Sequence, residues 1–298
     1  MTQKGHSEEY FGDYRDYWYN FDFLELMAKR WELNKVNSIL DVGCGQCHWT
    51  KLISTFLNPG TIIKAVDNDP KWTKENDDTN SFFSSKKMDF NLIQASATEL
   101  PFEDNTFDAV TCQTLLIHLK NPIDAIKEMK RVLKPEGILI FAEPNNLAIS
   151  AIKDSLTSSY SIEELVENFK YSLIKEKGKI NLGKGDNSFG DLLPNILNQL
   201  KLKEIKSFIS DKTNLVLPPY ETREMQAMIS QITSLEFEEF YDKETNEEFE
   251  TFGTKFKGTL LNIKEKEKST ISNLKKSVEI GKYFSGGGFL MYLISARK

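Results

Sequence analysis

The chain has 298 residues, 40% of them hydrophobic and 28% charged, the balance of a globular protein with material for one large domain or two small ones. Its formal net charge of −6 speaks against nucleic acid as a partner, since a grip on a phosphate backbone calls for a basic face. No apolar run approaches the roughly 18 to 20 residues of a membrane helix and the opening ten residues carry no apolar signal core, so a cytoplasmic protein with no membrane partner is expected.

Residues 10–34 crowd Tyr10, Phe11, Tyr14, Tyr17, Trp18, Tyr19, Phe21 and Phe23 ahead of Leu24, Met27, Ala28 and Trp31, the last four at helical spacing. This segment reads either as a helical flap over a site or as a helix packed on the core. Next, the apolar run Ser38, Ile39, Leu40 and Val42 predicts a buried strand. It stops at Gly43 and Gly45 and resumes at helical spacing with Trp49, Leu52, Ile53 and Phe56. A strand, a tight glycine turn and a helix make a cradle: glycine admits positive φ and removes the Cβ, and the first N–H groups of the helix are expected to face a ligand. Cys44 and Cys47 form a C-x-x-C inside this turn. With no second such pair to complete four ligands, and Cys112, His6, His48 and His118 scattered, no metal is expected. An odd cysteine count also argues against a disulfide framework.

The residue two before the first glycine selects the ligand. A dinucleotide site binds an anionic pyrophosphate and asks for a third glycine where His48 stands. Asp41 would repel that anion and suits a cationic ligand, one carrying an ammonium and a sulfonium. The run Asp41-Val42-Gly43-Cys44-Gly45-Gln46-Cys47 resembles the first motif, acidic-x-Gly-x-Gly-x-Gly, of the class I S-adenosylmethionine-dependent methyltransferases, with Cys47 in place of the third glycine. After a turn at residues 58–60, residues 61–67 form a second predicted strand. It ends in Asp67, 22 residues after Gly45, where an acid can accept both hydroxyls of a ribose.

Residues 71–89 read as a helix and a loose loop, followed by a strand at 90–94 that leads to Ala95, Ser96 and Ala97. A fourth strand spans 107–112 with Gln113 after it. Pro122 lies near the start of a helix carrying Ile126, Met129 and Val132; a turn at 134–137 then precedes a fifth strand, 138–142, and Glu143. This alternation implies a parallel, doubly wound sheet with ligands beyond the strands' carboxyl ends, where Asp41, Asp67, Ser96, Gln113 and Glu143 all fall. Residues 160–177 are helical by spacing, 178–190 a glycine-rich break, 192–202 a helix and 205–210 a sixth strand. Residues 212–283 carry helical stripes of Met225, Met228, Ile229 and Ile232, then Phe237, Phe240, Phe249, Phe252 and Phe256, which either wall a substrate pocket or pack the region onto the rest. The apolar run 289–296 is the last strand. Leu217-Pro218-Pro219-Tyr220 lies about a hundred residues beyond the fourth strand and reads as a turn.

The resemblance implies an α/β fold: a doubly wound, mostly parallel, seven-stranded Rossmann-like sheet with an antiparallel last strand and helical lid insertions. The expected organisation is an N-terminal helical flap (1–35), a cofactor-binding core (36–150), helices and a strand completing it (151–211), a helical insertion over the substrate site (212–283) and a final edge strand (284–298). It also implies S-adenosylmethionine as cofactor, S-adenosylhomocysteine as product, and cofactor contacts at Arg15, Asp41, Gly43, Cys44, Gly45, Asp67, Asn68, Ser96, Ala97 and Gln113. Arg15 would pair with the methionine carboxylate, and Ser96 and Ala97 would touch the adenine. The chemistry is in-line displacement at the sulfonium carbon by an O, N or C nucleophile of a small molecule. His118 and Glu143 are the candidate bases where that nucleophile arrives protonated; equally, His118 can be a packed residue and Glu143 a local hydrogen-bonding one. A protein or RNA methyltransferase, and a non-catalytic module that binds the cofactor, are the competing readings; the acceptor and the oligomeric state stay open.

Overall fold

A computed structural model describes residues 13–73, 77–233 and 237–298. His6, Tyr10 and Phe11 lie outside the described residues, as do 74–76 of the expected helix and loop and 234–236 of the expected helical insertion. The described residues form two compact units, one within 19–145, 188–211 and 291–298, the other within 13–18, 146–187 and 212–290. Its helices are α1 (Phe21–Arg30), α2 (His48–Ser54), α3 (Asp77–Ser85), α4 (Pro122–Val132), α5 (Ile162–Asn181), α6 (Leu193–Gln199), α7 (Arg223–Thr233), α8 (Phe237–Glu250) and α9 (Lys257–Glu279).

The first unit holds a seven-stranded sheet of β1 (Ser38–Val42), β2 (Ile62–Asp67), β3 (Asp89–Gln94), β4 (Phe107–Gln113), β5 (Leu133–Pro144), β6 (Lys203–Ile209) and β7 (Met291–Arg297), in the order β3-β2-β1-β4-β5-β7-β6. Strands β1 to β5 pair in parallel, and β7 runs antiparallel to both β5 and β6. The strand order reverses between β1 and β4, the place where ligands bind in open α/β sheets. Every residue of β1 is buried, Ser38 and Asp41 along with the apolar Ile39, Leu40 and Val42, as befits a central strand. α4 starts at Pro122 and buries Ala125, Ile126, Met129 and Val132. These pack with Val110, Cys112, Leu139 and Phe141 of the sheet and Leu193 and Leu197 of α6. Each large apolar side chain so enclosed contributes about 1.5–3 kcal/mol.

Two details depart from the sequence reading. The last strand is not the edge of the sheet: β7 lies between β5 and β6. Its Met291, Leu293, Ile294 and Ala296 are buried, whereas β6 exposes Lys203, Glu204 and Lys206, the charged residues that blunt an edge. The expected turn at 134–137 is a bulge inside a longer β5, where Leu133 pairs with Phe107 before the register shifts and Ile138 meets Ala109.

In the second unit α5 continues to Asn181, four residues into the expected break at 178–190, and the break proper follows with Gly183 and Gly185 at positive φ. Its start is fixed by a capping box, with the Glu164 N–H donating to Ser161 Oγ and the Ser161 N–H to Glu164 Oε2. Gly178 sits inside this helix because α8 crosses there: a Cβ on Gly178 would lie 2.4 Å from the Glu248 carbonyl oxygen. Tyr171 and Phe249 pack with ring centroids 5.5 Å apart beside buried Ile174. Single bridges join Ser285 to Asp154 and Val216, and Gly288 to Thr213. Residues 217–220 do form a turn, closed by the Tyr220 N–H on the Leu217 carbonyl at 2.9 Å. Among the described residues no helix is long and apolar enough to cross a membrane.

Candidate functional site

From Val42 the chain turns through Gly43 (φ +72°) and Gly45 (φ +49°) into α2. The Gly43 and Cys44 N–H groups donate to the Val66 carbonyl at 2.8 and 3.0 Å, and the Cys47 N–H donates to the Cys44 carbonyl at 2.8 Å. The Gly45 N–H donates to Asp67 Oδ2 at 2.9 Å. These four amides are spent inside the protein, and what the turn leaves open at Gly45 is the space of a missing side chain. A Cβ on Gly45 would meet nothing within 4 Å, whereas one on Gly43 would lie 2.6 Å from Leu115 Cδ1. Gly43 therefore admits the chain after β4, and Gly45 leaves open space. Cys44 and Cys47 are free, buried thiols, and the hydrogen bond to Cys47 together with burial pushes the Cys44 thiol well above its usual range. Among the described residues no group of three or more His, Cys, Asp or Glu side chains could hold a metal ion.

Two carboxylates flank the turn. Asp41 is 1% exposed; its Oδ2 accepts the Thr50 hydroxyl of α2, and its Oδ1 has no hydrogen-bond partner among the described residues. Burial pushes Asp41 up to about 7, the Thr50 bond pulls the other way, and the charge of Asp67 adds to the rise. Asp67, at the tip of β2, accepts the Gly45 N–H on Oδ2 and the Asp69 N–H on Oδ1, each at 2.9 Å. Burial raises its pKa while those amide bonds oppose the rise. A carboxylate oxygen carries two lone pairs, so Asp67 keeps acceptor capacity for hydroxyls.

The ends of β4 and β5 complete this rim. Gln113 Nε2 donates to the Tyr19 hydroxyl at 2.9 Å, the Tyr19 ring packs on Trp49 with centroids 5.4 Å apart, and Trp49 Nε1 donates to Thr111 Oγ1 at 2.8 Å. Glu143 is 0% exposed. Its Oε1 accepts the Leu115 and Leu116 N–H groups, each at 2.9 Å, and the Cys112 thiol at 3.6 Å; its Oε2 has no partner among the described residues. Burial pushes Glu143 up to about 7, with the Leu116 and Leu115 amides pulling down. Burial, and then the charges of Glu143 and Asp41, hold the Cys112 thiol well above its usual range.

The remaining predicted residues are placed as follows. Asn68 is exposed just past β2, its carbonyl accepting Gln94 Nε2 at 3.2 Å. Ser96 lies two residues past β3; its hydroxyl is 2.9 Å from Thr98 Oγ1 and accepts the Thr98 N–H at 3.2 Å, while Ala97 packs against the core. His118 is exposed at the end of a short turn of 3-10 helix, Leu116–His118. Arg15 belongs to the second unit, its guanidinium 4.9 Å from the centre of the Trp18 ring. Sequence reasoning missed Thr50, Thr111, Leu115 and the pairing of Tyr19 with Gln113. Thr50 left a signal: with Ser54 it puts two hydroxyls four residues apart on the buried face of α2.

A glycine turn stitched to β2, open over Gly45 and bracketed by carboxylates at the ends of β1 and β2, fits a positively charged nucleoside and disfavours a pyrophosphate. Fold and motif together define a class I S-adenosylmethionine-dependent methyltransferase domain, whose cofactor is S-adenosylmethionine. Residues 40–141 match the family model for the methyltransferase domain. A demethylmenaquinone methyltransferase of Staphylococcus carnosus (strain TM300) is 32% identical over 127 residues, which cover 43% of this chain and 51% of that protein. One of Staphylococcus aureus (strain JH9) is 31% identical over 121 residues, 41% of this chain and 48% of that protein. The chain thus spans about half the length of the curated relatives it matches. A solved structure from Galdieria sulphuraria, provisionally named a sarcosine dimethylglycine methyltransferase, is similar in fold: TM-score 0.50, 14% identity, 93% of this chain and 84% of that one.

Proposed function

We propose that the protein transfers a methyl group from S-adenosylmethionine to an O, N or C nucleophile of a small molecule by in-line displacement. The observation that carries this reading is the open face of Gly45 beside Asp41 and Asp67. Bound S-adenosylmethionine supplies a methyl group on a positively charged sulfur, already activated towards a nucleophile. The protein's task is then to hold, align and exclude water, and alignment alone is worth about 7–11 kcal/mol. Asp67 takes the ribose hydroxyls, the negative charge at Asp41 favours the cationic end, and the Gln113–Tyr19 pair borders the cofactor at the end of β4. His118, exposed after β4, accepts the proton where the acceptor arrives as a hydroxyl or an ammonium.

Incubation with cofactor labelled at the methyl group and a small-metabolite extract, followed by mass spectrometry, tests the reading. Label is expected in a small molecule, and demethylmenaquinone, which the curated relatives' name gives as their acceptor, is the first defined one to assay. Label only in protein or RNA would move the function to those acceptors. Binding of S-adenosylhomocysteine without transfer to any pool would leave a binding module.

A further inference from the structure

We infer that Glu143 is a positioning residue that builds the cofactor cradle by holding the chain after β4, rather than a base that touches the acceptor. This rests on the cofactor reading proposed above. A base must reach the proton it removes, and Glu143 is fully enclosed with Oε1 committed to three donors. Those donors explain the residue. β4 breaks at Thr114, which takes φ +48°, and three successive amides then turn towards the end of β5. The Thr114 N–H donates to the Ala142 carbonyl at 2.9 Å, and the Leu115 and Leu116 N–H groups share Glu143 Oε1.

A carboxyl oxygen has two lone pairs and can accept both amides at once, and without it both are left unpaired in the interior. The segment so fixed carries Gln113 at its start, Leu115 in its middle and His118 at its end. The Leu115 side chain lies against Gly43, where a Cβ would come within 2.6 Å. The carboxylate therefore acts through Leu115 on the glycine turn and through the strand break on Gln113.

The test is hydrogen exchange of ligand-free protein read on peptides covering residues 113–118, with calorimetry of S-adenosylhomocysteine binding, on wild type, Glu143→Ala and Glu143→Gln. In Glu143→Ala the Leu115 and Leu116 amides are expected to exchange about tenfold faster or more, with β7 unchanged, and affinity to fall by a similar factor. Glu143→Gln keeps an acceptor oxygen and is expected to stay within about threefold of wild type in both. If the alanine variant does not fold, Glu143→Asp, its carboxylate drawn back by one methylene, is expected to show the same local loosening. Unchanged exchange at 115 and 116, unchanged affinity in a folded alanine or aspartate variant, or a glutamine variant as impaired as alanine would each overturn the inference. Wild-type protein that fails to bind S-adenosylhomocysteine would overturn the proposed function, and the exchange comparison would still decide whether Glu143 holds this turn.

Discussion

The two units enclose charge in opposite ways. In the helical unit Lys179 of α5 is buried among carboxylates: burial lowers its pKa, and Glu176, Glu248, Glu244 and Asp186 push it back up. In the sheet unit Asp41 and Glu143 are buried among neutral donors, a hydroxyl, two amides and a thiol, and each has one oxygen with no partner among the described residues. Burying a carboxylate far from any cation is costly, so carboxylates gathered around an enclosed lysine read as structure, and carboxylates enclosed without one at the ends of parallel strands read as a candidate site. The difference separates a region that encloses its own cation from one that encloses carboxylates without a cation beside them.

The largest expected effect follows from those two carboxylates. Their folded pKa values lie above the unfolded ones, 3.8 for Asp41 and 4.5 for Glu143, so the stability they contribute is fully present only below those values and is lost as pH rises through about 7. The shift from 3.8 to about 7 at Asp41 corresponds to about 4 kcal/mol, and that from 4.5 to about 7 at Glu143 to about 3 kcal/mol. Asp41 faces Asp67 and Cys112 as well as Thr50, and Glu143 faces Cys112, so the two titrate through one neighbourhood. Urea unfolding between about pH 5 and 8 should show wild type losing stability as pH rises, and the pair Asp41→Asn with Glu143→Gln should flatten that slope. A slope unchanged in the double variant would mean that the enclosed carboxylates are not what distinguishes this unit.

The glycines sharpen the same contrast. Gly43→Ala places a Cβ 2.6 Å from Leu115 Cδ1 at φ +72°, and left-handed strain plus crowding should cost about 3 kcal/mol and abolish S-adenosylhomocysteine binding in calorimetry. Gly45→Ala meets no atom and should cost about 1 kcal/mol, for its φ of +49°, yet weaken binding by filling the ligand's approach. In the helical unit Gly178→Ala drives a Cβ to 2.4 Å from the Glu248 carbonyl, and the better helix propensity of alanine only partly offsets that crowding. A net loss of about 2 kcal/mol in denaturant unfolding, with cofactor affinity unchanged, is the expected result.

How much of this was legible follows from how local each signal is. The parallel core was readable because its strands are short apolar runs between turn residues, and the Asp41–Gly45 motif sits on contiguous residues. β7's place between β5 and β6 was not, because pairing partners 83 to 94 residues apart leave no local trace, although the charges of β6 against the apolar β7 hinted at which strand is the edge. Gly178 misled for a related reason: a glycine kept for a helix crossing looks in sequence like a glycine that ends a helix. At the site the residue types at the strand ends were foreseeable. Their partners were not: Thr50 on Asp41, the Leu115 and Leu116 amides on Glu143 and Tyr19 on Gln113 join segments 9, 28, 27 and 94 residues apart.

Tyr19 gives the smallest and most selective test. Its hydroxyl accepts Gln113 Nε2 at 2.9 Å while its ring packs on Trp49, so Tyr19→Phe removes the polar contact and keeps the apolar one. Loss of one part-buried hydrogen bond is worth about 0.5–1.5 kcal/mol, and the freed Gln113 amide can still turn to a bound ligand or to water. Thermal unfolding should therefore move little, and S-adenosylhomocysteine affinity should fall by about two- to tenfold, through Gln113 alone. If Tyr19→Phe instead unfolds as readily as Gly43→Ala, the hydroxyl belongs to the scaffold and the border between scaffold and site lies further along β4. If neither quantity moves, the Tyr19–Gln113 bond does not orient Gln113, and the rim of the cradle is set by the backbone after β4.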